Sequence, residues 1–172
     1  MQKIILIGYM AVGKSTIAQL LAKKIQMEWL DLDKVIENKI NLSIKNIFEQ
    51  KGEIYFRKIE HDIFKVLIEN EEKLIISTGG GTPCYANNHQ LLNGENVVSI
   101  YLKASVDVIF ERLKNKKDDR PLVANQSDND LKEFIAKNIF DRSFYYNQAT
   151  HVIDISTKKP NEVVEIILQK LN

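Results

Sequence analysis

The chain has 172 residues, of which 44% are apolar and 27% charged, a composition that suits one globular domain and excludes disorder. Lys plus Arg total 24 against 23 Asp plus Glu, so a net charge of +1 gives no global pull towards nucleic acid or an anionic membrane. One cysteine, Cys84, excludes an intrachain disulfide, and no run approaches the roughly 20 apolar residues of a membrane span.

The apolar run Ile4–Ile7 before Gly8 predicts a buried parallel strand, too short for a signal segment. A soluble cytoplasmic protein is therefore expected. Ile17, Leu20, Leu21 and Ile25 recur at helical spacing within Ser15–Ile25. Glu28–Leu32 reads as a second strand ending in acids, and Lys34–Ile40 as a helix. Ser43 is a candidate cap for a helix through Gln50, which Gly52 breaks. Glu53–Glu69 is a long amphipathic helix with Ile59, Ile63, Val66 and Leu67 assigned to one face.

Leu74–Ser77 is a third buried strand, and Val97–Leu102 a fourth, followed by a helix from Ser105 to about Leu113. Lys114–Asn129 is polar and lacks an apolar period, so it is the candidate mobile loop. A helix is expected from about Asp130 to Tyr146, then a fifth strand at His151–Ile155 and a last helix opened by Pro160. Strands alternating with helices predict a three-layer α/β/α sandwich with a mostly parallel sheet and no second domain.

Two residue types are unevenly used. Only seven glycines occur, against about twelve at average usage. Five of them, Gly8, Gly13, Gly79, Gly80 and Gly81, fall in two short stretches, which implies special backbone there. Arginine occurs four times, at Arg57, Arg112, Arg120 and Arg142, in a chain with twenty lysines. A planar fork cannot be replaced by an ammonium where a carboxylate or phosphate must be gripped, so these four positions are candidate ligands.

Gly8-Tyr9-Met10-Ala11-Val12-Gly13-Lys14-Ser15 fits the phosphate-loop pattern G-x-x-x-x-G-K-[ST], a match that arises by chance in roughly one chain in two hundred of this length. A strand before it and an amphipathic helix after it supply the required context. Its N–H groups and helix N-terminus suit phosphate, Lys14 can reach the β and γ phosphates, and Ser15 can ligate Mg²⁺. No N-K-x-D base-reading motif is present, which argues against a GTPase. A chain of this length with five strands points to a small-molecule kinase of the nucleoside-monophosphate-kinase type.

Asp31-Leu32-Asp33 closes the second strand, where α/β sheets bind ligands. Alternation would put both carboxylates on one side, about 7 Å apart, one near Mg²⁺ and one near an acceptor hydroxyl. The competing reading is Asp33 as a helix N-cap. Gly79-Gly80-Gly81 lets a ligand touch main chain, and Ser77 stands where an Asp for Mg²⁺ is often found. Glu60, at i+3 from Arg57, can hold its guanidinium, with Phe48 and Phe56 as a candidate apolar wall. Arg120 lies in the polar loop, placed to close over phosphates.

Together these motifs resemble the shikimate kinase family over nearly the whole chain. The resemblance rests on the phosphate loop through Thr16, Asp31-Leu32-Asp33 with Ile36-Glu37, and Ile47-Phe48 followed by Gly52-Glu53. It continues through Phe56-Arg57-Lys58-Ile59-Glu60, Gly79-Gly80-Gly81, Arg120-Pro121-Leu122, and Arg142 with Tyr146. It implies Mg²⁺-dependent transfer of the ATP γ-phosphoryl group to the 3-hydroxyl of shikimate, on the route to chorismate and the aromatic amino acids. It also implies a five-stranded parallel sheet of order 2-3-1-4-5 within one kinase domain over residues 1–172. A substrate-binding region at about 33–60 and a lid at about 114–126 go with it.

By resemblance, Asp33 binds the acceptor hydroxyl, Arg57 and Arg142 clamp the shikimate carboxylate, and Gly79, Gly80 and Gly81 line its pocket. Asp31, through water, and Ser15 hold Mg²⁺, and Lys14 and Arg120 act on the transferring phosphate. Lys14, Asp33 and Arg120 are thus the implied catalytic set. Ala11, Val12, Gly13, Lys14, Ser15, Thr16, Arg112 and Arg120 form the implied ATP site, with Thr157–Pro160 near adenine. ATP and shikimate are the expected partners, with no nucleic acid or membrane, and a monomer is expected. The family commonly has Gly where this chain has Ala11, so a slightly altered loop with retained ATP binding is expected. The stretch from Arg142 to Tyr146 lacks a proline often found in the family. Cys84 is expected to be a small buried residue without a catalytic part. The rival readings are a gluconate kinase of the same fold, and a nucleotide-binding regulatory module without phosphotransfer.

Overall fold

The structure, a computed structural model, describes residues 3–114 and 127–171. Strands β1 (Lys3–Ile7), β2 (Glu28–Asp31), β3 (Leu74–Ser77), β4 (Val97–Lys103) and β5 (His151–Asp154) form one sheet of order β2-β3-β1-β4-β5. Every ladder is parallel, with Ile4 opposite Ile75 and Val98, and Ile100 opposite His151. Each crossover therefore needs a helix, and the sequence supplies them.

Helices α1 (Lys14–Ile25), α5 (Val106–Lys114), α6 (Asp128–Tyr146) and α7 (Pro160–Leu171) cover one face. Helices α2 (Leu32–Ile40), α3 (Ile44–Lys51) and α4 (Glu53–Glu69) cover the other. The period of the strands divides the core. Ile4, Leu6, Ile100 and Leu102 pack against α1 and α7, whereas Ile5, Ile7, Ile76 and Tyr101 pack against the α2–α4 side. With both faces covered, β1 is buried at all five positions. This explains why it reads as an unbroken apolar run.

Most element boundaries agree with expectation to within a residue or two, and the sheet order does so fully. Four differences have physical causes. Strand β2 stops at Asp31, because the Asp31 side chain accepts from the Asp33 N–H and caps α2. Asp33 is thus in the first helical turn, neither an alternating strand residue nor the cap. Val66 is 63% exposed, since the buried stripe of α4 runs through Phe56, Glu60, Ile63 and Phe64. Helix α6 begins at Asp128, where Ser127 caps it, slightly before the expected start. Two short 3₁₀ turns, Thr82–Cys84 and Asn88–Leu92, follow the glycine triplet without an apolar period to announce them. Of the candidate mobile loop, residues 115–126 lie outside the described residues. No helix among the described residues is long and apolar enough to cross a membrane.

One charge is spent on the fold itself. Lys3 is buried at the start of β1, and its Nζ donates to the Asn70 carbonyl at 3.0 Å, to Asn70 Oδ1 and to the Glu72 carbonyl. Burial pulls its pKa below the ordinary lysine value, while the Glu72 charge opposes that shift. The amine thereby staples the α4–β3 connection to the central strand. Lys3→Met leaves those acceptors without their donor, and we expect a loss of about 1–3 kcal/mol. Urea denaturation checks this through a lowered midpoint at unchanged slope.

Candidate active site

The carboxyl ends of β1, β2 and β3 meet at the point where the strand order reverses, the position at which open α/β sheets bind ligands. The chain leaves β1 at Gly8, whose φ is 145° and whose Cβ, if present, would stand 2.7 Å from the Leu102 carbonyl. It re-enters regular structure at Gly13, which has φ 97° and caps α1. Between them Ala11 adopts φ 62°, a left-handed conformation that costs a non-glycine residue roughly 1–2 kcal/mol. The altered loop expected from Ala11 therefore keeps the glycine-like backbone and carries its strain.

Lys14 Nζ donates to the Gly8 and Tyr9 carbonyls at 2.8 and 2.9 Å, at the base of the loop. Arg112 reaches across from α5, its Nη1 donating to the carbonyls of Val12 at 2.9 Å and Ala11 at 3.2 Å. Beside these contacts lies a cavity of about 380 Å³, lined by Gly13, Thr16, Arg112, Ile155, Lys158 and Pro160. Its apolar floor and basic edge suit a planar heterocycle. The sequence-predicted neighbours Arg112 and the 157–160 segment are thus brought together on one side of the loop.

On the other side, a cavity of about 810 Å³ runs from Gly13–Thr16 past Asp31 and Asp33 to Thr78–Gly80. Ser15 Oγ donates to Asp31 Oδ2 at 2.7 Å and lies 3.3 Å from Ser77 Oγ. These are hard oxygen donors of the kind that Mg²⁺ takes directly or through water. Asp33 sits deeper. Burial first, then the charges of Asp31 and Glu60, push its pKa up to about 6, with Lys14 pulling the other way. A carboxyl so placed is still mostly ionised at neutral pH and close to the range useful for proton transfer.

The glycine triplet faces this carboxylate. A Cβ on Gly79 would stand 3.0 Å from Asp33 Oδ1, one on Gly80 3.2 Å from the Met10 nitrogen, and one on Gly81 2.8 Å from Arg57 Nη2. Arg57 donates from Nη1 to Glu60 Oε2 at 2.9 Å and from Nε to Glu53 Oε1 at 3.3 Å. Its guanidinium carbon lies 3.8 Å from the Tyr85 ring centre and 5.0 Å from that of Phe56, with Phe48 at 5.9 Å. The expected apolar wall is present and supports the cation.

Arg142 arrives from α6, near the would-be Cβ of Gly80 and 5.4 Å from the Tyr9 ring centre. The buried Tyr146 hydroxyl donates to the Gly80 carbonyl at 2.6 Å, tying α6 to the triplet. Cys84 is half-buried, and burial pushes its thiol up to about 11, so it stays protonated at neutral pH. Arg120 lies outside the described residues. Tyr85 and Thr82 were not legible as site residues in advance. The one signal for Thr82 is that it directly follows the triplet.

A parallel sheet of this order, with a phosphate loop leaving its central strand, is the architecture of the nucleoside-monophosphate-kinase-like P-loop kinases. The model of the shikimate kinase family matches residues 10–172. A shikimate kinase from Flavobacterium johnsoniae is 56% identical over 171 residues, covering 99% of each chain. The crystal structure of shikimate kinase from Bacteroides thetaiotaomicron superposes with a TM-score of 0.89 at 30% identity, covering 98% of this chain and 97% of that one. Shikimate kinase from Acinetobacter baumannii in complex with shikimate gives a TM-score of 0.87 at 30% identity, covering 99% and 93%. The chain belongs to the shikimate kinase family.

The raised pKa of Asp33 has a consequence for stability. A carboxyl whose folded pKa of about 6 exceeds its ordinary value of 3.8 binds its proton more readily when folded. Its contribution to stability is complete below the unfolded value and is lost as pH rises through the folded one. Asp33→Asn removes that loss. We expect the variant to be more stable than wild type by about 1–3 kcal/mol at neutral pH, the difference shrinking towards pH 4. Thermal melts of the two proteins across that pH range check it.

Proposed function

We propose the following division of labour for the reaction of this family, the ATP-dependent phosphorylation of shikimate to shikimate 3-phosphate in aromatic amino acid biosynthesis. The phosphate loop, from Ala11 to Thr16, holds the ATP phosphates, and Lys14 carries positive charge to the transferring group. The cavity beside Arg112 and Pro160 takes adenine. Arg57 and Arg142 grip the shikimate carboxylate, a planar anion suited to guanidinium forks. Gly79, Gly80 and Gly81 let the ring lie against main chain.

Asp33 receives the 3-hydroxyl, orients it towards the γ-phosphorus and takes its proton as the new P–O bond forms. A loose transition state asks little of a base, so orientation is the larger part of that task. Ser15 directly, and Asp31 through water, would hold Mg²⁺. When bound, that ion neutralises charge on the β and γ phosphates. Arg120 is assigned to the transferring phosphate by family resemblance alone. We further propose a monomer acting in the cytoplasm on these two small molecules, with no nucleic-acid or membrane partner. Residues 33–60 would serve as its acceptor region and 114–126 as its lid.

The observation that carries this reading is the convergence of Asp33, Arg57 and Arg142 on one glycine triplet, of which Gly79 and Gly80 line the same cavity as Asp33 and Lys14. ADP release with shikimate, gluconate and nucleoside monophosphates as parallel acceptors tests it. Turnover with shikimate alone is expected. Release with gluconate only, or ATP binding without acceptor-dependent release, would overturn the assignment. Arg57→Lys separates the clamp from the nucleotide site. We expect KM for shikimate to rise at least about tenfold while KM for ATP stays within about twofold. Steady-state kinetics in each substrate read both values.

A further inference from the structure

Behind the Arg57 clamp lies a buried polar chain that phosphoryl transfer itself does not need. Glu60 is 1% exposed, an unusual place for a carboxylate. Its Oε2 accepts from Arg57, and its Oε1 accepts from Thr82 Oγ1 at 2.8 Å. Thr82 is fully buried. Its carbonyl accepts from Asn88 Nδ2 at 2.9 Å, and Asn88 Oδ1 lies 2.7 Å from His61 Nδ1. The 3₁₀ turn that carries Thr82 is therefore pinned from behind, back to α4.

We propose that Thr82 is a positioning residue for shikimate binding, acting through Glu60 on Arg57. The inference rests on Arg57 as a carboxylate clamp. Three oxygens crowd the place a Cβ would take on Gly79: Asp33 Oδ1 at 3.0 Å, Thr82 Oγ1 at 3.1 Å and Glu60 Oε1 at 3.4 Å. Two of them are carboxylate oxygens, and their mutual repulsion favours turning one away. A threonine hydroxyl has one proton to donate, and here it goes to Glu60. That bond satisfies the inner oxygen of Glu60. It thereby aims the outer oxygen at Arg57.

Without the hydroxyl, Glu60 Oε1 is left buried without that donor, and the carboxylate turns towards another. Arg57 then loses its best partner. What remains is Glu53, on a side chain 53% exposed, and the faces of Tyr85, Phe56 and Phe48, none of which fixes the direction of the fork as Glu60 does.

Thr82→Val keeps the side-chain shape and removes the donor. KM for shikimate is expected to rise about tenfold, with kcat within about threefold and KM for ATP within about twofold. Thr82→Ala, which removes the same hydroxyl without adding a methyl group, should shift KM in the same direction, and Thr82→Ser should restore it. Combined with Arg57→Lys, Thr82→Val should add little, because the group it positions is already gone. A wild-type KM for shikimate in both Val and Ala variants overturns the inference, as does an equal rise in KM for ATP. A Ser variant as impaired as Val also overturns it. If Arg57→Lys itself leaves KM for shikimate unchanged, it is the clamp reading that fails. If Arg57→Lys raises KM and neither Thr82→Val nor Thr82→Ala does, only the role of Thr82 fails.

Discussion

The acceptor half of the site depends on a steric constraint: the backbone after β3 must be bare. Asp33, Met10 and Arg57 approach Gly79, Gly80 and Gly81 so closely that each absent Cβ would stand 2.8–3.2 Å from one of them. A side chain at any of these positions would push away a carboxylate, the phosphate loop or the guanidinium. The triplet thereby lets three separate elements, α2, the loop after β1 and α4, meet within one cleft. It leaves main-chain surface on which a ring can lie. Tyr146 then fixes the triplet from the far side through the Gly80 carbonyl, bringing α6 and Arg142 into the same assembly.

Once the groups are crowded together, electrostatics decides their states. Asp31, Asp33 and Glu60 are three acids near one cleft, and each has a different partner. Asp31 is satisfied by the Ser15 hydroxyl and the Asp33 N–H, which orients it beside the phosphate loop. Glu60 is satisfied by Arg57 and Thr82. Asp33 is buried beside both, and burial first, then their charges, raises its pKa. The cleft thus keeps a destabilised carboxyl where the acceptor hydroxyl is proposed to bind, which follows the usual exchange of stability for activity.

Much of this was legible in advance because it rests on local patterns. The run Ile4–Ile7, the phosphate loop and the Glu53–Glu69 helix each carry a period or motif set by their own backbone geometry. The sheet order came instead from family resemblance. What escaped prediction depends on contacts between distant segments. Asp33 looks like an alternating strand residue until the Asp31 side chain is seen to cap α2 and put it in the first helical turn. Val66 fits an apolar face by spacing, but the buried stripe of α4 runs through Phe56, Glu60, Ile63 and Phe64, and it includes a carboxylate that Arg57 and Thr82 bond. No apolar period marks the 3₁₀ turn of Thr82, and its role is visible only through Glu60, 22 residues earlier.

The uneven use of glycine now has a physical explanation. Among the described residues, non-glycine residues take left-handed backbone at five positions, Ala11, Gln26, Asn41, Ala86 and Asn87. Gln26 and Asn41 occupy helix C-caps where glycine is the usual choice. Conformational strain of this kind costs roughly 1–2 kcal/mol each and can be absorbed by a well-packed fold. A collision with backbone or with a functional group cannot be absorbed in the same way. Collision keeps glycine at Gly8, against the Leu102 carbonyl, and at Gly79–Gly81, against the site itself, whereas Gly13 and Gly52 serve a positive φ with no close obstacle. Ala11 marks the difference within a single loop, since it takes the dihedral angle of a glycine without an obstacle that would require one.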